Sequence, residues 1–408
     1  MVPKEWKIKT IGDIATVSSG GTPNRKEQAY WNGDIPWVTT AEVQFKTILD
    51  SAEKITKEGL TNSSAKLFPI NTILMAMYGQ GKTRGQVAKL GIEASTNQAC
   101  AAIILSSDYC VDYYYQFLIY QYENIRNMSN SGSQENLSGS IVKSIPVLVP
   151  PYFEQEKIAQ ILSTWDQAIS TTEKMLENSQ QQKKALMQQL LTSKKRLLDE
   201  NGVKFSNEWS AKNLESLVYR PLCYGVLKPG EDVLDGHPLI RIQDIDDRGF
   251  IDIRKVIRIT DELHYEFRRT ILNTNDLIIS IVGTLGKIFV IPKELNGANI
   301  TRAFAVIGAD PKRIDTRFIY QYLNSSMIQE WLLNTATGNA QKVLNIAALK
   351  ELQIPLPTIE EQRRIAEVLF IADQEIETLQ KKLDCLKQEK KALMQQLLTG
   401  KKRVKVAA

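Results

Sequence analysis

Along two stretches of the chain the apolar residues recur in alternating steps of four and three. In the first, Ile158, Leu162, Trp165, Ile169, Thr172, Leu176, Ser179, Lys183, Leu186 and Leu190 keep this phase. In the second, Ile365, Leu369, Ala372, Ile376, Leu379, Leu383, Leu386, Lys390, Leu393 and Leu397 do the same. A seam repeating every 3.5 residues is the pattern of a coiled-coil helix. Neither stretch contains Gly or Pro between the proline that precedes it (Pro151, Pro357) and its end near Ser193 or Gly400. The pattern therefore predicts two uninterrupted helices. At 1.5 Å per residue, a helix of about 40 residues is roughly 60 Å long, and is a spacer.

Outside these stretches the period changes to short runs of β-branched and aromatic residues bounded by Gly, Asn and Pro. Helical stretches interrupt them, such as VDYYYQFLIYQYENI from Val111 and TRFIYQYLNSSMIQEWLL from Thr316. The expectation is two heads of α/β or α+β class, each with a twisted sheet.

The two halves repeat. The decapeptide KKALMQQLLT occurs at Lys183 and again at Lys390, an offset of 207. At the same offset FEQEKIAQILSTWDQAIS, from Phe153, aligns with EEQRRIAEVLFIADQEIE, from Glu360. Looser echoes precede them. KEWKIKTIGDIA from Lys4 matches NEWSAKNLESLV from Asn207, and NGDIPWVTTAEV from Asn32 matches DGHPLIRIQDID from Asp235. NTILMAMYGQGKTRGQVAKL from Asn71 matches NDLIISIVGTLGKIFVIP from Asn275. So long a period means a tandem domain duplication and not a solenoid. The reading is a head over 1–150, a helical region over 151–204, a second head over 205–356 and a second helical region over 357–408. Short connections favour antiparallel pairing of the helices, with a pseudo-twofold axis and the two chain ends close together.

Packing in a common core accounts for the repeated leucines. It does not account for identity at Gln188 and Gln189 with Gln395 and Gln396, or at the basic runs Lys194–Arg196 and Lys401–Arg403. Outward polar positions are free to drift, so these faces are expected to bind two copies of one partner.

Composition narrows the chemistry. Net charge is +5, divided as +1 for 1–153, +1 for 154–204, 0 for 205–359 and +3 for 360–408. This is only a weak electrostatic pointer to nucleic acid. No charge-free apolar run of about 18 residues exists, so no membrane span is expected. The start, MVPKEWKIKT, has no apolar core behind its charges, which points to the cytoplasm. Cys100, Cys110, Cys223 and Cys385 are scattered with no Cys-x-x-Cys pair, as for buried thiols in a reducing compartment. With only His237 and His264, a histidine-based metal site or a Ser-His-Asp triad is not expected.

Three motifs mimic catalytic signatures. GQGKT at Gly79 resembles the end of a phosphate-binding loop, but Ala76 stands where the first glycine belongs. A polar glycine loop between strands is the better reading. VPPY at Val149 resembles the motif by which amino-methyltransferases hold a flipped adenine, but Val149 replaces its polar residue. Asp244, Asp246 and Asp247 cluster without a Lys-bearing counterpart in the other half, as a solvated acidic loop would. No catalytic residue, metal site or bound cofactor is expected.

What remains is a set of polar and basic side chains suited to base edges and phosphates. In the first head they are Asn24, Arg25, Lys26, Thr39, Gln80, Lys82, Arg84, Asn97 and Gln98. In the second they are Arg241, Gln243, Arg268, Arg269, Lys287, Asn299 and Arg302. Arginine can bridge guanine, and Asn or Gln can bridge adenine, in the major groove. Arginine supplies 10 of 18 basic residues in the second head but 3 of 14 in the first, so the heads are expected to bind different sequences.

Two variable heads, each followed by a near-identical helix entered through IPVLVPPYFEQEKIAQIL or IPLPTIEEQRRIAEVL and closed by KKALMQQLLT, resemble the specificity subunit of Type I restriction-modification systems. The resemblance covers essentially the whole chain. It implies two target recognition domains, each reading one half of a bipartite site in double-stranded DNA, with the paired helices fixing the gap. It further implies docking of two modification subunits, adenine methyltransferases that use S-adenosylmethionine, and of restriction subunits that use ATP and Mg2+. A different class of function, an inert coiled-coil scaffold whose heads bind protein, is compatible with the near-neutral head charges.

Overall fold

The computed structural model describes residues 3–79, 81–128, 136–246, 249, 251–338 and 342–404. The chain divides into two compact units, Met1–Glu173 with Lys381–Ala408, and Lys174–Gln380. Each unit holds one head together with a stretch of both long helices.

In the first unit a five-stranded sheet runs in the order Ala15–Ser19, Cys100–Leu105, Ile73–Ala76, Val87–Leu90, Thr47–Ile48. A four-stranded sheet runs Glu53–Ile55, Trp31–Val38, Ala94–Thr96, Leu67–Phe68. Ile73–Ala76 is buried throughout, which is why it reads as an unbroken apolar run and not as an alternation. The helix Val111–Tyr120 lays Tyr113, Tyr114, Phe117 and Leu118 on this sheet. The same core takes in Ile158, Ala159 and Leu162 of one long helix, Met394 and Leu397 of the other, and Leu398 just past its end.

The second unit repeats the plan in reduced form. Leu277–Ser280 lies between Ile288–Val290 and Phe304–Ile307, and His237–Ile240 between Ile257–Ile259 and Asn299–Ile300. Its core joins Leu277, Ile279, Phe318 and Leu323 to Met187, Leu190 and Leu191, and to Ile365, Ala366 and Leu369. The loose sequence echoes correspond in position. Val38 pairs in parallel with Thr96, as Ile240 does with Ile300. Asn71 and Asn275 both take the left-handed conformation at φ +69° immediately before the central hairpin, a conformation asparagine tolerates.

The long helices are Tyr152–Leu190 and Ile359–Leu397, 39 residues each. Within each unit they run antiparallel, because rising numbers on one meet falling numbers on the other. In the first unit Lys390 Nζ bonds Asp166 at 2.6 Å and Lys387 pairs with Glu173 at 2.7 Å. In the second, Lys183 Nζ bonds Asp373 at 2.5 Å and Ser179 Oγ donates to Glu375 at 3.1 Å. Of the seam positions Ile158, Leu162, Leu176, Leu190, Ile365, Leu369, Leu379, Leu383 and Leu397 are buried. Trp165, Ile169, Leu186, Ile376, Leu386 and Leu393 are half-buried. Met187 and Met394 lie outside the strict seam but are also buried, because each helix stretch faces a head as well as its partner helix.

Two expectations are corrected. The helical region does not continue to 204: Ser193 adopts φ +59° and Gly400 φ +72°, which end the helices, and 191–204 folds as turns with a Leu198–Lys204 bridge. The thiols are not uniformly buried, since Cys110 and Cys223 are half-buried and Cys385 is exposed.

Candidate nucleic-acid interface

Each long helix is entered through a strand that belongs to its head. Pro146–Val149 pairs with Lys7–Thr10, and Gln353–Leu356 with Ser210–Asn213. The VPPY sequence is thus a strand-to-helix junction. Gln155 Nε2 donates to Pro150 O at 2.9 Å while its Oε1 accepts from Cys110 N–H at 3.0 Å. Gln362 repeats this, donating to Pro357 O at 3.0 Å and accepting from Asp315 N–H at 2.8 Å. The repeated Glu-Gln pair therefore has a local structural cause.

The neighbouring glutamates anchor the far end of the opposite helix. In the second unit Glu361, 1% exposed, accepts from Arg196 Nε at 2.6 Å, Arg196 Nη2 at 2.7 Å and Trp209 Nε1 at 3.1 Å. In the first, Glu154 accepts from Arg403 Nε at 2.8 Å, from Arg403 Nη2 and from Trp6 Nε1 at 3.3 Å. Donation to the carboxylates of Glu154 and Glu5 holds the Arg403 guanidinium above its ordinary pKa. The last residue of each basic run is thereby explained inside its own unit, which corrects the expectation that the whole run faces a partner. Lys194, Lys195, Lys401 and Lys402 are exposed, as are Gln188, Gln189, Gln395 and Gln396. These two Trp-Glu-Arg clusters were missed in the sequence, although the repeated Glu-Gln and Lys-Lys-Arg at one offset carried the signal.

In the first head the candidates divide into engaged and open side chains. Arg25 forms a bidentate pair with Glu53, with Nη2 to Oε2 at 3.0 Å, and lies 3.9 Å over the Trp31 ring. This guanidinium lowers the Glu53 carboxyl pKa. Asn24 accepts from the Lys26 amide at 3.1 Å, leaving the Lys26 side chain exposed. Thr39 caps a short 3-10 turn through Glu42, its hydroxyl 3.1 Å from that carboxylate. Asn97 is half-buried and turns its Oδ1 to the Ala99 amide at 3.1 Å. Gln98 is exposed, with Oε1 accepting from Thr22 Oγ1 at 2.5 Å. Gly79 and Gly81, at φ +140° and +73°, shape a loop between two antiparallel strands, so GQGKT is not the strand-to-helix turn a nucleotide requires. Lys82 in it is exposed, whereas Arg84 is 8% exposed and is corrected from the set of DNA-facing candidates. Gln80 lies outside the described residues.

In the second head Arg241 caps the equivalent 3-10 turn, its Nη2 2.7 Å from Asp244, so this carboxylate is a cap and not part of a solvated cluster. Asp247 lies outside the described residues. Gln243, Arg268, Arg269, Lys287 and Arg302 are exposed. Asn299 is fully buried and bonds His264 Nδ1 at 2.5 Å, so it too is corrected from a base-reading candidate to a core residue. No group of three or more His, Cys, Asp and Glu that could hold a metal occurs among the described residues. No described helix is long and apolar enough to cross a membrane.

A family model described as the Type I restriction modification DNA specificity domain matches residues 3–181 and 238–388. The chain belongs to this family.

Among its specificity-domain relatives, the Escherichia coli Type I restriction enzyme EcoBI specificity subunit is 30% identical over 302 residues, 69% of this chain. That alignment spans 63% of the relative's own length, under two thirds. The MjaVIII specificity subunit of Methanocaldococcus jannaschii is 26% identical over 99% of this chain and 94% of its own length. The crystal structure of a Type I restriction-modification system S subunit from M. genitalium shares the fold, with TM-score 0.62 at 18% identity over 97% of this chain and 96% of that one.

One further feature of this specificity-domain chain recurs. In the first unit a groove of about 1050 Å³ is lined by Lys387, Lys390, Lys391, Met394 and Ile169, and by Tyr115 and Gln116 of the head. In the second a groove of about 680 Å³ is lined by the corresponding Gln180, Lys183, Lys184, Met187 and Ile376, and by Ser325 and Met327 of the head. Both copies of the decapeptide line the same kind of surface.

Proposed function

We propose that the chain is the non-catalytic DNA-specificity subunit of a Type I restriction-modification enzyme, each head reading one half of a bipartite site. The observation that carries this is the recurrence, in both units, of one recognition-type head fused through its core to an antiparallel helix pair. The long helices set the gap between the half-sites. The two grooves, each lined in part by one copy of the repeated decapeptide, dock two modification subunits that methylate adenine with S-adenosylmethionine. ATP- and Mg2+-dependent cleavage belongs to restriction subunits on the same assembly. Lys82 and Lys287, on glycine loops, contact phosphates and so position the heads without specifying sequence. The assembly acts in the cytoplasm, where DNA is accessible.

The test is a methylated-adenine map of DNA from cells co-expressing the chain with its neighbouring methyltransferase, compared with the methyltransferase alone. A split motif appearing only with this chain supports the proposal. No new motif, with both proteins soluble and associated, favours the protein-binding scaffold instead.

A further inference from the structure

Three backbone hydrogen bonds recur at equivalent places in the two heads. In the first, Gly21 N–H donates to Thr96 O at 2.8 Å, Asn97 N–H to Val38 O at 3.0 Å and Met77 N–H to Ala99 O at 2.8 Å. In the second, Val226 N–H donates to Ile300 O at 2.7 Å, Thr301 N–H to Ile240 O at 3.0 Å and Ile281 N–H to Ala303 O at 2.8 Å. The segments 96–99 and 300–303 are thus fixed from three sides in the same way. The close approach needs glycine: a Cβ on Gly20 or Gly225 would sit 2.0 Å from Thr96 O or Ile300 O.

Within this common frame the residues two positions after the parallel strand pair are exposed, and they differ. One is Gln98 and the other Arg302. A fixed backbone carrying an exposed, exchangeable side chain is what a reading head needs, because the side chain can change without cost to the fold. Each position also adjoins the segment that starts a lysine-bearing glycine loop, at Met77 and Ile281. Lys26, Gln243, Arg268 and Arg269 are exposed too, but none occupies a position that this frame repeats.

We infer that Gln98 and Arg302 are the corresponding base-reading residues of the two heads, Gln98 for an adenine and Arg302 for a guanine. The inference rests on the DNA-reading function proposed above. Thr22 orients the Gln98 amide through Oε1, leaving the second lone pair of that oxygen and the Nε2 hydrogens for N6 and N7 of adenine. Unlike Arg25 and Arg241, which are engaged with carboxylates, Arg302 has no ion pair or side-chain hydrogen bond among the described residues. Its guanidinium is available for the O6 and N7 of guanine.

The experiment is adenine-methylation mapping of the chain co-expressed with its methyltransferase, in the wild type and in Gln98→Ala, Gln98→Arg, Arg302→Gln and Arg302→Lys. Each Gln98 variant should relax or switch one base position in one half-site, with preference there falling roughly 10- to 100-fold. Each Arg302 variant should do so in the other half only. Arg302→Lys keeps the charge but loses the planar fork, so it should lose guanine preference while overall methylation and its salt dependence persist. Co-purification of each variant with the methyltransferase establishes that it is folded. An unchanged motif, or a uniform fall in methylation across sequences, overturns the assignment while leaving the DNA-reading function standing. Absence of any split motif with the wild-type chain overturns that function, and the assignment with it.

Discussion

Removing Arg196 should damage the second unit far more than its exposure implies. The Arg196 side chain is 15% exposed and Glu361 only 1%, so their charge-assisted bonds lie in a region of low dielectric. In Arg196→Ala the carboxylate stays buried and keeps a single donor, Trp209 Nε1 at 3.1 Å. An uncompensated buried charge of this kind costs about 3–5 kcal/mol. With a urea dependence of about 2.5 kcal/mol per molar, the unfolding midpoint of that unit should fall by about 1–2 M. Helicity at 222 nm during urea titration reads the change. Neutralising the orphaned group in Arg196→Ala/Glu361→Gln should recover most of the loss, because an amide costs much less to bury than a carboxylate. The equivalent Arg403 is 39% exposed, so water screens its pair with Glu154 and Arg403→Ala should give a smaller shift. A midpoint change under about 0.3 M for Arg196→Ala, or no recovery in the double variant, would refute this account of the cluster.

Asn299→Ala should cost about 1–3 kcal/mol by leaving His264 Nδ1 without its partner, seen as a lower denaturation midpoint, while the recognised DNA sequence stays the same. Lys82→Ala should weaken DNA binding evenly across sequences and lower the slope of log K against log salt by about one, as measured by titration at several salt concentrations. Inserting one heptad at matching places in both long helices should lengthen each by about 10 Å. The methylated motif should then gain about three unspecified base pairs with both half-sites unchanged. The Arg25–Glu53 pair should respond to acid: Arg25 lowers the folded-state pKa of Glu53 below its ordinary 4.5, so its stabilisation is full above that pH and is lost as pH falls through the lowered value. A fluorescence change of Trp31 and Trp37 in that acid range, absent in Glu53→Gln, is the expected observation.

The sequence alone determined the tandem plan, the two long helices and their seam. These follow from periodicity and from an offset repeated over about fifty residues, both of which are local or linear properties of the chain. It also carried the glycine loops and the echo between DGHPLIRIQDID and NGDIPWVTTAEV, because turn chemistry is written in neighbouring residues. Tertiary structure decided, by burial and by pairing across the fold, whether Arg84, Asn299 and Arg25 are open. Arg84 and Asn299 read as DNA contacts by residue type, yet burial removes them. Arg25 is bound to Glu53 across the fold, whereas Thr39 and Arg241 are bound to Glu42 and Asp244 only three residues on, a capping spacing written in the sequence itself. Glu53 lies 28 residues from Arg25, and Arg403 is 249 from Glu154, so no local pattern reveals either pairing, and only the repeat of Glu-Gln and Lys-Lys-Arg at one offset marks the second. Whether an arginine meets a base or a carboxylate depends on which neighbours the fold brings within about 3 Å, and that is a property of three dimensions.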